Sequence, residues 1–329
     1  MKAVVYEQYG SPDVLELKEI PKPRPQDDEV LIKVHATTVT SADWRARSLS
    51  FPKGFGLMGR LVFGVLKPRQ PILGTELSGE VESVGASVTK FKVGDRVMAF
   101  TGGRMGCHVE YKCLKEDAQI ALKPARLTYE EAAAISFGAM AALAFLRGGG
   151  IQRGDRVLVN GASGGVGTAA VQLAKHFGAT VTGVCSGANA DLVRSLGADK
   201  VIDYTVEDFT RSDDQYDIII DTVGTAPFSR SRGSLKPGGR LLLVLGTLAD
   251  LLMSPWHSWT SGIKVIAGPQ SPRPGDAGFL ARLAESGALR AVIERCYSFA
   301  DIREAHRLVD SGRKKGSVVV SVVGPIGRT

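Results

Sequence analysis

The sequence predicts an α/β protein in two parts, a strand-rich N-terminal third followed by a parallel-sheet region. Three observations carry this. As far as Phe100, apolar positions come in short alternating runs separated by glycine, proline and acidic turns such as GSPD and KPRPQDDE. From Arg156 onward, short β-branched or leucine-rich runs alternate with helical ones, the βαβ pattern of a parallel sheet covered on both faces. Between them stands NGASGGVGTAAVQLAK, residues 160–175, a glycine-rich loop that runs straight into a helix.

The elements follow in order. KAVVYEQY, EVLIKVHATTV, LSGEVESVG and DRVMAF are the N-terminal strands, and LTYEEAAAISFGAMAALAFL has helical composition. RVLVN, TVTGVC, KVIDY, DIIIDTV, RLLLVLG and IKVIAG are strands of the second region, with GTAAVQLAKHFG and NADLVRSLG as helices between the first three. The tail FADIREAHRLVDSGRKKGSVVVSVV is one helix and one last strand, which needs a sheet to join. The N-terminal strands are its expected host.

Bulk properties narrow the class. With 329 residues, 44% of them hydrophobic, the chain can bury one large or two ordinary cores. The net charge is +7, but the 34 acids are interspersed among the 41 bases with no polybasic run, so nucleic acid is disfavoured as a partner and an anionic small ligand preferred. The N-terminus lacks the apolar core of a signal peptide, and LMGRLVFGVL is too short to span a bilayer. Cys107, Cys113, Cys185 and Cys296 make no disulfide framework in a chain of this size, so a cytoplasmic protein is expected.

The glycine loop carries the chemistry. Ala162, Ser163, Gly164, Gly165, Val166 and Gly167 follow the strand RVLVN as A-x-G-x-x-G, the dinucleotide fingerprint with alanine in the first glycine position. Gly164 lets backbone approach a pyrophosphate, Gly167 lets the helix pack close to the strand, and the helix N-terminus offers N–H groups to the anion. At the end of the next strand, Cys185-Ser186, no acid appears until Asp191. An acid there would bind the ribose of NAD and repel a 2′-phosphate, so NADPH is expected, with NADH possible. Ser186, Asn189 and Tyr204 are the candidate contacts to the phosphate end.

In its whole length the chain resembles the medium-chain dehydrogenase/reductase superfamily. The runs GTELSGEVESVGASVTKFKVGDRV, GASGGVGTAAVQLAK, SLGADKVIDY, DIIIDTVG and LKPGGRLLLVLG carry the likeness in order. It implies a GroES-like β-rich catalytic domain (1–123 and 269–329), a Rossmann domain (124–268) and cofactor held in the cleft between them. It implies also a homodimer through the strand at 263–268, and cofactor contacts at Thr222, Val223, Gly224, Gly246 and Thr247.

Zinc-dependent members of that superfamily carry ligands where this chain has Thr40, Thr75 and Phe137, and CHVEYKC has the wrong spacing for a metal, so no metal is expected. The chain then resembles the zinc-independent quinone oxidoreductase branch, which implies hydride transfer from NADPH to quinones or other α,β-unsaturated carbonyls. Charge developing on such an acceptor is spread by conjugation, so proximity and orientation carry the catalysis. Thr40 is the candidate acceptor contact, and Asp43 is a candidate catalytic group that a structural role at the strand-to-helix corner competes with. Lys314 and Lys315 are read as a solvated turn in preference to phosphate contacts. Residues 44–75 contain six bases and no acid. A mobile lid is the first reading of that stretch, inert packing the second and membrane contact the last. Competing functions are a zinc-free alcohol or enoyl-thioester reductase and, in another class, a low-turnover NADPH-binding or RNA-binding module.

Overall fold

A computed structural model describes residues 1–323 of the chain. It divides into two compact units, one of Met1–Phe51, Gly56–Phe137 and the segment from Pro274, the other of Pro52–Phe55 and Gly138–Arg273. The division falls inside the helix Tyr129–Gly149, later in the chain than residue 123.

In the first unit the strand Glu29–Val39 is the organiser. It pairs antiparallel with Glu76–Val84, Tyr111–Lys115 and Ser317–Ser321. Its β-branched composition suits a strand covered on both sides. Val30, Ile32 and Val34 pack with Leu77, Val81 and Val97, while Val39 joins Val4, Leu73, Val318 and Val320 in a separate cluster. The C-terminal strand does return to the N-terminal sheet, with Val318 opposite Val39, and Ile293–Ser298 adds a parallel strand beside it. Arg96–Phe100 and Gln119–Leu122 complete the other edge. Cys113 lies in a strand as expected; Cys107 and His108 lie just before the bridge that joins Val109 to Ala3.

The first unit also buries charge. The Arg47 side chain is fully buried; one guanidinium nitrogen donates to both carboxylate oxygens of Asp310, at 2.6 and 2.5 Å, and the other donates to the Gly10 carbonyl at 2.7 Å. Next to it His108 and His306 meet edge to face, ring centroids 5.6 Å apart, and neither is exposed to solvent. His108 donates through Nε2 to the Thr38 carbonyl at 3.0 Å, while neither ring nitrogen of His306 has a hydrogen-bond partner. Burial holds both imidazoles below their usual pKa, although Asp43 draws His108 back up.

An acid sensitivity follows. Above the unfolded-state pKa of about 6.5 both states are neutral and stability is complete. Below it the unfolded chain takes up protons that the folded one refuses, so stability falls by up to about 2.7 kcal/mol per pH unit for two such groups. Thermal melting followed from pH 7.5 down to about 5 is expected to show this loss, partly offset by the buried Glu76 carboxyl, which gains stability as it protonates over the same range, and His306→Leu to remove one histidine's share, roughly 1.4 kcal/mol per pH unit. An unchanged slope in that variant would assign the effect elsewhere.

The second unit is a six-stranded, wholly parallel sheet. Its spatial order is Lys200–Asp203, Thr180–Cys185, Arg156–Asn160, Tyr216–Asp221, Leu235–Leu243 and Lys264–Ala267. Leu158, Ile219 and Leu241, all fully buried, form part of the cluster beneath the helices. The strand order reverses between Arg156–Asn160 and Tyr216–Asp221, which opens a crevice at their carboxyl ends. Lys264–Ala267 is an edge strand.

Among the described residues one helix, Tyr129–Gly149, is long and apolar enough to cross a membrane, and most of it is buried inside the protein as a core helix.

Candidate functional site

The glycine loop sits at the topological switch point. The helix Gly165–His176 starts directly from it, and its first internal bond runs from the Thr168 N–H to the Gly164 carbonyl at 2.9 Å. The N–H groups of Gly165, Val166 and Gly167 therefore have no acceptor within the helix, and the dipole adds positive character there. The two key glycines are needed for different reasons. A Cβ on Gly167 would stand 2.0 Å from the Gly161 carbonyl oxygen and 2.8 Å from Ala162 Cα, so that glycine exists for packing. Gly164 has φ −78° and ψ 174°, a conformation open to any residue, and a Cβ there would meet only the Gly161 oxygen at 3.5 Å. Nothing in the fold requires glycine at that position. The space beside it, faced by free N–H groups, fits a dinucleotide pyrophosphate.

The remaining cofactor candidates lie at the carboxyl ends of the strands of the same sheet. Asn189 donates from Nδ2 to Ser163 Oγ at 3.2 Å, and its buried Oδ1 has no partner. Ser186 follows directly on Cys185, whose buried thiol is pushed up to about 11, an inert end to the strand. A cavity of about 470 Å³ is lined by Gly161, Val184, Tyr204, Val223, Thr225 and Arg230, bringing the ends of four strands together. Thr222 donates its hydroxyl to the Asn160 carbonyl at 2.8 Å. Gly246 and Thr247 sit after the strand Leu235–Leu243, where Thr247 caps the helix Leu248–Ser261 in a reciprocal pairing with Asp250.

Asp221, which the sequence alone does not single out, holds the 222–226 loop. Its buried carboxylate accepts the N–H groups of Val223, Gly224 and Ala226 at 3.1, 3.0 and 2.8 Å, and the Asn160 amide at 3.0 Å. The signal available in the sequence is an acid directly after the apolar run Ile218–Ile220.

In the first unit, Thr40 caps the helix Ser41–Ser48. Its N–H and hydroxyl both donate to Asp43 Oδ2 at 2.7 Å, and the other Asp43 oxygen accepts the Gly74 N–H at 2.7 Å. Asp43 is wholly buried, and it braces the end of one strand against the loop that precedes the next. That brace draws residue 74 toward the Thr40 corner. Glu76, also buried, accepts from the Thr38 hydroxyl and the Phe137 N–H, and burial pushes its carboxyl up to about 8. Lys314 is its electrostatic counterpart. The amine donates to the Gly316 carbonyl at 2.5 Å, and burial pulls it down to about 8 against the opposing influence of Glu76. The solvated turn expected at Lys314 is thus a partly buried cation in the first unit.

A parallel Rossmann sheet with a pyrophosphate-ready loop, joined in one chain to a strand-rich unit, defines a nicotinamide-dependent oxidoreductase. Comparison with known families specifies it. Residues 26–147 match the alcohol dehydrogenase GroES-like domain and residues 196–320 the zinc-binding dehydrogenase family. The chain is 33% identical to the mitochondrial NAD(P)H oxidoreductase RTN4IP1 of Danio rerio, covering 98% of this chain and 92% of that one. It is 31% identical to the 2-methylene-furan-3-one reductase of Solanum lycopersicum, over 97% of this chain and 79% of that one. The solved quinone oxidoreductase of Coxiella burnetii superposes with a TM-score of 0.86 at 30% identity, covering 98% of this chain and 99% of that one. The chain belongs to the medium-chain dehydrogenase/reductase superfamily, in its quinone oxidoreductase-like branch, and is an NAD(P)H-dependent oxidoreductase.

One of the matching families is described as zinc-binding, and the residues here do not fit that metal. The Thr40 hydroxyl is committed to Asp43, Thr75 offers only a hydroxyl, and Phe137 has no donor side chain. Zinc takes thiolate, imidazole or carboxylate ligands. Among the described residues no group of three or more His, Cys, Asp or Glu side chains is placed to hold a metal ion.

Proposed function

We propose that the chain is an NADPH-preferring reductase of quinones or other α,β-unsaturated carbonyls that works without zinc. The observation that carries this is the replacement of the superfamily's ligand positions by Thr40, Thr75 and Phe137, which leaves no zinc to stabilise an isolated alkoxide. A conjugated acceptor needs that help least, and the named activities of the tomato and Coxiella relatives support the same class. Bound NADPH would supply the hydride. The chain's own part is to hold: free N–H groups at the start of Gly165–His176 take the pyrophosphate, and the Asp221-braced loop fixes Val223 at the edge of the cavity. Lys264–Ala267 lies at the edge of the sheet, the position at which a second copy would extend it as a homodimer.

NADPH oxidation in EDTA, with a small ortho-quinone and an alkenal offered separately, tests this reading. Turnover with either acceptor, slower with NADH, is the expected result. Tight NADPH binding with no oxidation of either acceptor overturns it.

The preference for NADPH is expected to be modest, for a reason specific to this chain. Asp203 ends the strand beside Cys185, in register with it, and Thr205 together with the Gly187 N–H holds its carboxyl below the usual range. That exposed negative charge lies against the backbone of the loop carrying Ser186 and Asn189. Asp203→Asn is expected to raise the ratio of kcat/KM for NADPH over NADH about threefold or more, the size of one surface charge interaction. An unchanged ratio would place the 2′-phosphate away from this loop.

A further inference from the structure

We infer that residues 56–69 form a docking surface for an anionic lipid bilayer. The helix Gly56–Phe63 has its amphipathic order reversed. Leu57, Met58, Leu61 and Val62, at positions i, i+1, i+4 and i+5, share one face. All four are exposed, Leu57 to 74%, and after the turn at Gly64 the exposed pair Val65 and Leu66 continues the patch, with Leu66 at 91%. The inner side is fixed. A Cβ on Gly59 would stand 2.3 Å from the Phe51 ring, and Phe63 stacks on that ring at 5.4 Å. Tyr9 donates to the Gly64 carbonyl at 2.8 Å and pins the end of the helix. The apolar face is therefore held outward by packing behind it.

The charges around the patch select its partner. Arg47 is committed to Asp310, and Arg45 donates to the Ser50 carbonyl. Arg60, Lys67 and Arg69 are exposed; Arg60 donates to the Val65 carbonyl at 3.2 Å, and none of the three forms an ion pair among the described residues. No acid lies anywhere between residues 44 and 75. A protein partner would have to supply both an apolar groove and a surrounding acidic rim. An anionic bilayer offers both in one surface, acyl chains for the leucines and headgroup phosphates for the cations. The sequence alone ranks membrane contact last because it does not show which side of the helix is turned out.

Co-sedimentation of the full chain with vesicles tests the proposal. Phosphatidylglycerol–phosphatidylcholine vesicles are expected to pull the protein down, and phosphatidylcholine alone or high salt to pull down much less. Leu57→Ser/Leu61→Ser/Leu66→Ser and Arg60→Gln/Lys67→Gln/Arg69→Gln are each expected to weaken partition about tenfold or more, with melting temperature and far-UV dichroism unchanged. Failure of the wild-type chain to sediment with anionic vesicles overturns the proposal, as does equal sedimentation of the leucine variant. Sedimentation velocity without lipid supplies the third arm. If the leucine variant dissociates an oligomer there, the face is an interface between copies, and the lipid assignment falls.

Discussion

Gly167→Val is expected to lower the melting temperature sharply, whereas Gly164→Ala is expected to melt like the wild type and yet bind NADPH at least about tenfold more weakly. The two positions lie three residues apart in one motif, and the structure separates their roles. At Gly167 the new Cβ would overlap main-chain atoms, 2.0 Å from the Gly161 oxygen and 2.8 Å from Ala162 Cα. Backbone cannot move aside as the end of a lysine can, so the helix must lift from the strand. Overpacking of that kind costs about 3 kcal/mol or more, and in a domain about the size of the second unit each kcal/mol corresponds to roughly 2–4 °C. At Gly164 the fold has room and the backbone angles are ordinary. Only a ligand against the helix end would meet the added methyl. Differential scanning fluorimetry with and without NADPH, alongside a cofactor titration, reads both effects. A Gly164→Ala chain that binds NADPH normally would remove the pyrophosphate from this loop.

Arg47→Ala is expected to destabilise the chain by about 3–5 kcal/mol, the largest effect anticipated for any single ionic residue here. The guanidinium is wholly inside, and its loss leaves the Asp310 carboxylate and the Gly10 carbonyl without their donor. Arg47→Met, which keeps much of the stem, should recover part of the packing but none of the pairing. The double variant Arg47→Met/Asp310→Leu is the informative one. Removing both charges together is expected to cost far less than removing Arg47 alone, because the penalty lies in the stranded partner. Urea unfolding of the wild type, Arg47→Met, Asp310→Leu and the double variant gives the coupling directly. Additive costs in the double variant would refute that account.

The sequence made the parallel sheet, the glycine loop and the returning C-terminal strand legible, because each depends on local pattern. RVLVN followed by A-x-G-x-x-G leaves little choice of geometry, and SVVVS is too apolar to remain unpaired. What it hid depends on neighbours. Asp221 reads as a strand-end acid until four donors converge on it. Lys314 reads as one of a row of surface bases until Glu76, far away in the chain, appears beside it. The helix Leu248–Ser261 was illegible for another reason. Pro255 interrupts its pattern, and the carbonyl of Leu251 that proline leaves free is taken by the Ser254 hydroxyl at 2.9 Å. Such local repair cannot be read from composition. Thr40 and Asp43 lie between these cases: their spacing announces a helix cap, and the fold adds Gly74 as the third member.

Gly138 lies within the alanine-rich helix Tyr129–Gly149, where a helix former would ordinarily be preferred. A Cβ there would stand 2.2 Å from the carbonyl oxygen of Gly165, at the first turn of the helix Gly165–His176. The identity of residue 138 is thereby tied to the course of the glycine loop. Substitutions at 138 and in the loop should be epistatic, each tolerated or rejected according to the other. A screen that diversifies only the cofactor loop would therefore search a space whose limits are set elsewhere in the chain, and relaxing them requires moving the helix and the loop together.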